Sequence, residues 1–433
     1  MACGLELGTQ PIAEGPKSKS SAPRVRHEQE RANRIVMTFV PGDDLPDCNS
    51  PDLILCHPTE DEHVAIWNDT SAAWTDTLTP SAYLEESLFL TTVPLARNGG
   101  MTTWILVRRG LAPSERQILC SCETYRKRSL TSGVEGKVSE KTVHGIASVF
   151  CSPLYRSRGY AGRMMRELAK ELYNWQTDRF PCAGTTLYSD IGKEYYAKLG
   201  WPPNITNSQI ELAPKFGTWP ALAGTITEHD LEDICKRDEV LIRSRLAVPD
   251  NGVTTRFTII PDTDHMGWHI GKEDFATDYL FGRRPTAKGA IAGPPGSQIW
   301  ATWVRRYYER LDAKNPSNVL YILRLVIEID ETATRLPSDA AKRPAKDVYK
   351  TQIELLSAVL QAAQAEAAEW KLNVVKLWDP TPLVMDMLEQ MGLECTMKER
   401  SSQSIASLLW YDQGGGIDKK QPLWVNNEHF AWQ

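Results

Sequence analysis

Two arginines, a glycine and two small residues are gathered in residues 156–162, RSRGYAG, at the junction between an apolar strand and an amphipathic helix. A helix N-terminus presents backbone N–H groups without intrahelical partners and about half a positive charge, so it suits an anion, phosphate above all. Such a ligand reaches the backbone only where side chains are out of the way. Gly159, Ala161 and Gly162 supply that absence, and Arg156 and Arg158 can add charge-assisted hydrogen bonds. Val149 and Cys151, at the end of the preceding strand, can pair their backbone with an extended ligand as though it were an added strand. A dinucleotide fingerprint would need G-x-G-x-x-G with a later acid, and a P-loop would need Gly-Lys-Ser/Thr; the sequence has neither. Taken by itself, the turn has a plain alternative reading as a loop with solvated arginines.

The elements that would position this turn are legible around it. "KTVHGIASVF" (141–150) reads as a strand, and Tyr160 to Trp175 as a helix with Met164, Met165, Leu168 and Leu172 along one face. "AGTTLYS" (183–189) reads as the next strand, "GKEYYAKLG" (192–200) as a short helix and "SQIELA" (208–213) as a last strand. Upstream, residues 1–30 read as a disordered lead-in and 34–40, RIVMTFV, as a first strand. Two helices over 61–74 and 79–93 follow, then the two arms of a hairpin over 101–110 and 116–129. The result is one mixed α/β layer.

The second half repeats this order without repeating the residues. After a helix over 227–246 and a long stretch read as irregular, 318–330 is a strand and 347–370 a long helix. A strand (372–378), a helix (382–392) and a strand (404–411) complete the pattern. Where the first half has its glycine turn, the second has "ETATRLPSDAAKRPAKD", a longer polar loop. The expected organisation is a lead-in over 1–30, a catalytic layer over 31–215, a connecting helical and irregular region over 216–299 and a degenerate second layer over 300–433.

Arg156-x-x-Gly159-x-Ala161 resembles the Q/R-x-x-G-x-G/A acyl-CoA signature of the GNAT superfamily of N-acetyltransferases. "LYSDIGKEYYAKLGW" (187–201) is similar to the strand and aromatic–Tyr–x–x–x–Gly–aromatic helix that follow it in that family, in the same order. More narrowly, this segment and "PLWVNNEHFAW" (422–432) resemble the fungal L-lysine N6-acetyltransferase group. The resemblance implies an N-terminal GNAT fold followed by a degenerate GNAT-like C-terminal domain, with acetyl-CoA as donor. It implies strands splayed in a V around the pantetheine, and direct transfer without an acyl-enzyme. The backbone N–H near Val149 would then face the thioester oxygen. The turn with Arg156, Arg158, Gly159, Tyr160, Ala161 and Gly162 would hold the pyrophosphate, and Tyr196 would assist the departing thiolate.

The acceptor side is read from chemistry. An amine with pKa near 10.4 loses its proton at pH 7.4 at a cost of about 4 kcal/mol, so a base is expected. His144 and Asp190 are the candidates, each with a bland alternative as a strand residue or a helix cap. The aromatic-rich end segment, with Trp424, Phe430 and Trp432 around Asn427 and Glu428, reads as docked. It docks either for stability alone or with Glu428 and Asn427 facing the acceptor's ammonium.

Composition bounds the rest. The chain has 433 residues, 42% hydrophobic and 24% charged, the balance of a soluble globular protein. A net charge of −6 argues against nucleic acid as partner. Nine cysteines without C-x-x-C point to free thiols in a reducing compartment, and no ligand spacing supports a metal. No stretch reads as a signal peptide or membrane span. The expectation is a cytoplasmic enzyme acting on a small-molecule amine, free L-lysine first. A protein lysine or N-terminal acetyltransferase, and a non-enzymatic acyl-CoA sensor, are the alternatives.

Overall fold

Thr59 opens the first helix with a capping box, its side chain accepting from the Glu62 amide while Glu62 returns to the Thr59 N–H. In the computed structural model, which describes residues 45–433 apart from 251, 253, 254, 315, 334 and 336–339, the chain then runs as follows. β1 (Leu53–Cys56), α1 (Glu60–Trp74) and α2 (Pro80–Leu90) lead to β2 (Met101–Arg108), β3 (Cys120–Gly133) and β4 (Val138–Phe150). α3 (Tyr160–Leu172), β5 (Cys182–Ser189), α4 (Glu194–Ala197) and β6 (Ser208–Leu212) follow. Next come β7 (Ala223–Ile226), α5 (Leu231–Leu246), β8 (Thr255–Ile259), α6 (Thr263–Phe281), β9 (Gly289–Ala292) and β10 (Ile299–Arg306). β11 (Val319–Ile327), α7 (Lys346–Glu369), β12 (Val374–Trp378), α8 (Pro382–Met391), β13 (Thr396–Glu399), β14 (Ile405–Trp410) and β15 (Leu423–Trp424) complete it. The expected lead-in over 1–30 and strand over 34–40 lie outside the described residues.

The strands form two sheets. The first runs β1-β2-β3-β4-β5-β14, with β8 on the far part of β3 and β15 on β8. The second runs β13-β6-β12-β11-β10-β9-β7. Each contains one parallel pair joined by a helix: β4 and β5 through α3, β11 and β12 through α7. The two layers exchange strands. β6, read from sequence as the last strand of the first layer, pairs instead with β12 and β13. β14, read as the last strand of the second, pairs with β5.

The periodicity of α3 is realised as packing. Met164, Met165, Leu168 and Leu172 are each 0% exposed in the first core, and each such burial contributes about 1.5–3 kcal/mol. α7 presents small residues, Ala358, Ala362, Ala363 and Ala367, to the core of the second sheet.

The stretch between 248 and 297, read from sequence as irregular, contains β8, β9 and the 19-residue helix α6. Asp262 caps α6, its Oδ1 accepting the His265 amide at 3.1 Å and facing His265 Nδ1 at 2.7 Å. No cluster able to hold a metal occurs among the described residues, and no helix among them is long and apolar enough to cross a membrane.

Candidate active site

Parallel pairing of β4 with β5 runs from Thr142↔Cys182 to Ile146↔Leu187 and stops there, although the strands continue to Phe150 and Ser189. The two therefore part at their C-terminal ends. A bulge sits at the same point. Ser121 pairs with Phe150 and Glu123 with Ala147, so Ser148 and Val149 together face the single residue Cys122. Ser148 adopts φ +52°, a left-handed conformation costly for a residue with a side chain.

The chain continues into the arginine turn. Gly159 has φ +83° and precedes α3; a Cβ there would lie 2.8 Å from Cys48 Sγ, so the position requires glycine. The Arg163 N–H, bonded to the Gly159 carbonyl at 3.0 Å, closes the first turn, which leaves the amides ahead of it without intrahelical acceptors. Arg156 and Arg158 are exposed; Arg156 donates Nε–H to the Cys151 carbonyl at 3.0 Å. The Tyr160 side chain is not part of the open turn: it is buried and donates its hydroxyl to the Pro46 carbonyl at 2.6 Å. Only its backbone remains for a ligand at the turn. Cys151 donates its S–H to the Leu119 carbonyl at 3.3 Å.

Beside the bulge lies a cavity of about 260 Å³, lined by β3, β4, α1, α2, α6 and the end of β10. Glu123 forms part of its wall. Ser148 Oγ and the Tyr125 hydroxyl both donate to Glu123 Oε2, at 3.0 and 3.3 Å. Water can reach Glu123 through the cavity, yet the protein packed around it desolvates the carboxylate and raises its pKa, against the opposing effect of those bonds and of Lys272. Sequence reading missed this residue. The available signal was that Glu123 is the sole acid in β3, within the run "CSCETY".

Of the two bases proposed from sequence, His144 is corrected. It is 0% exposed, sits 3.6 Å from Cys182 Sγ and does not reach the cavity wall. Burial lowers its pKa to about 4, so it stays neutral within the sheet. Asp190 does line the cavity. Its Oδ1 accepts the Ser404 amide at 2.8 Å, so it ties β5 to the segment before β14 and does not cap α4.

Tyr196 is carried by α4, which Trp201 anchors to β5 by donating its indole N–H to Thr185 Oγ1 at 2.8 Å. Tyr196 is buried, and desolvation holds its pKa well above the ordinary phenol value, with Tyr195, Cys122 and Asp190 adding to the effect. It therefore stays protonated. Cys122 and Asp190, which act on it electrostatically, line the cavity; Tyr196 itself is not part of the cavity wall.

The end segment docks as expected but with different roles. Asn427 donates Nδ2–H to Asp379 Oδ2 at 2.6 Å. Glu428 pairs with Arg324 and accepts the Leu325 amide at 2.7 Å. Both residues are buried and absent from the cavity wall, so their expected contact with the acceptor is corrected: the second layer already holds their polar groups. Trp432, a few residues on, does line the cavity.

Residues 208–433, more than half of the chain, match the family described as "LYC1 GNAT-like C-terminal domain". The chain belongs to this family of GNAT N-acetyltransferases. Its activity is acyl transfer, and the matched residues include every strand of the second sheet together with β8, β14 and β15 of the first. A relative named "Lysine acetyltransferase", from Yarrowia lipolytica, is 23% identical over 309 residues, covering 62% of this chain and 74% of the relative. Among solved structures, a GCN5-related N-acetyltransferase from Anabaena variabilis aligns with TM-score 0.45 at 11% identity, over 83% of this chain and 72% of that one. Saccharomyces cerevisiae N-myristoyltransferase with bound myristoyl-CoA aligns with TM-score 0.47 at 10% identity, over 96% of this chain and 90% of that one.

Proposed function

We propose that this acetyltransferase moves the acetyl group of acetyl-CoA to the N6 amine of free L-lysine. The observation that carries the reading is Glu123, a desolvated carboxylate facing the cavity beside the point where β4 and β5 part. The printed name of the Yarrowia relative favours lysine.

Acetyl-CoA supplies an activated thioester. The open amides of α3, with Arg156 and Arg158, suit its pyrophosphate, and the gap between β4 and β5 suits its pantetheine arm. The bulge frees the Ser148–Val149 backbone from regular pairing with β3, so an N–H there can stabilise negative charge developing on the acyl oxygen. Glu123 takes a proton from the acceptor ammonium, for which a raised pKa shortens the mismatch with the amine. The amine nitrogen bonds to the acyl carbon, the carbon–sulfur bond breaks, the protonated Tyr196 hydroxyl donates to the leaving thiolate, and the second proton shed by the nitrogen as it becomes an amide restores the Tyr196 hydroxyl. Asp190, at the cavity wall, is the second acid able to relay the proton.

The test is thiol release from acetyl-CoA against a panel of free amino acids, polyamines and lysine-containing peptides. Turnover with L-lysine, lost in Glu123→Gln, supports the reading. Turnover with peptides alone would assign the protein to the protein-acetylating class.

A further inference from the structure

The cavity wall opposite in origin to Glu123 comes from the second half of the chain, and it carries two cations. Arg306, at the end of β10, pairs with Asp76 at 2.7 Å; Lys272, on α6, pairs with Glu86. All four side chains line the same cavity. Glu123 and Asp190 add two further acids to the wall, enough to face amines, so the two cations are what an acceptor of amines alone would not require. Arg306 is also incompletely used. Its Nε is buried without a hydrogen-bond partner, and its guanidinium lies over the rings of Tyr308 at 5.3 Å and Trp432 at 5.6 Å, which hold its plane. A guanidinium in this state presents an N–H fork suited to a carboxylate. The Arg306 Nη2 is held by Asp76 while the buried Nε–H has no acceptor, so a ligand carboxylate taking the place of Asp76 would satisfy a donor that the free protein leaves unmet.

We propose that Arg306, supported by Lys272, is the recognition element for the α-carboxylate of a free amino-acid acceptor, with Asp76 and Glu86 facing its α-ammonium. The assignment rests on the free-amino-acid reading above and gives it a selectivity rule: acceptors lacking the carboxylate are rejected. In a peptide that carboxylate is an amide, so the same device disfavours protein substrates.

The experiment compares L-lysine with cadaverine, which has the same carbon chain and amines without the carboxylate. Wild type should show a kcat/KM for L-lysine about 10- to 100-fold above that for cadaverine, the range expected for a charged hydrogen-bonded contact. Arg306→Gln should collapse this preference to within about 3-fold by raising KM for L-lysine, with KM for acetyl-CoA near wild type. Arg306→Lys, which keeps charge but loses the fork, should fall between. Lys272→Met provides a second variant with the same expected direction if Arg306→Gln does not fold. A wild type that acetylates both amines equally, or a folded Arg306→Gln that keeps the preference, overturns the inference while leaving lysine acetylation intact. A wild type that acetylates neither amine but does acetylate peptides overturns the functional reading itself.

Discussion

Glu428 Oε2 accepts the backbone N–H of Leu325 at 2.7 Å. Leu325 lies just beyond the last parallel pair of β11 with β12, Ile322↔Leu377, in the region that corresponds to the parted ends of β4 and β5. Where the first layer has an opening, the second is filled by its own end segment. His429 stacks on Tyr321 with ring centroids 3.8 Å apart, and Asn427 bonds Asp379.

This packing predicts one acetyl-CoA per chain. The second layer lacks the glycine turn, and Glu428 occupies the Leu325 amide that an acyl oxygen would need. Isothermal calorimetry should give a stoichiometry near one; a second site of comparable affinity would contradict the assignment.

Glu428→Gln should act on stability. The neutral side chain keeps an acceptor for Leu325 but sets an N–H₂ group against the Arg324 guanidinium in a buried site, at a cost of about 1–3 kcal/mol. A lower Tm with acceptor KM within about 3-fold of wild type is expected. A tenfold rise in KM at unchanged Tm would return Glu428 to the acceptor site.

As the proposed base, Glu123 should govern the pH dependence of turnover. A general base works deprotonated, so kcat/KM should fall as pH drops through its raised pKa, with a midpoint above the ordinary value near 4.3. Glu123→Gln should remove this limb and lower kcat by about 10²- to 10⁴-fold. The stability sign is opposite to that of a salt-bridged carboxylate. The folded state keeps the proton to higher pH than the unfolded chain, so stability falls as pH rises from the unfolded pKa through the folded one. Glu123→Gln escapes this loss, and its Tm at pH 8 should equal or exceed that of wild type.

Tyr196→Phe keeps the ring and removes the hydroxyl. It should lower kcat by about 10- to 10⁴-fold with little change in KM for acetyl-CoA. An unchanged kcat where chemistry limits turnover would remove Tyr196 from the mechanism.

The anion turn is best tested through Arg158, whose side chain is exposed. Arg158→Glu should weaken acetyl-CoA binding at least about tenfold and leave the Tm near wild type. Gly159 is a poorer probe. Any side chain there meets Cys48 and a positive φ, so even Gly159→Ala should be destabilised by about 1–2 kcal/mol.

The sequence alone determined those parts whose physics is local. The arginine–glycine turn, the apolar face of α3 and the order of elements from β4 to α4 all depend on residues within a few positions of one another. Only the tertiary structure decided which strands share a sheet, because the partners of β6 and β14 lie far away in sequence, β12 and β13 for the one and β5 for the other. It also set the surroundings of the proposed base. Glu123 becomes a desolvated acid at a cavity through the slipped register between β3 and β4, which no local pattern records. α6 escaped a sequence reading because its buried face mixes Met266, Trp268 and Ile270 with His265, His269, Glu273 and Thr277, and Glu273 is satisfied by Lys288 and Arg305 from other elements, each at 2.7 Å. Hydrophobic periodicity is blurred where polar residues interrupt the inner face, since the partners that make their burial tolerable lie outside the helix.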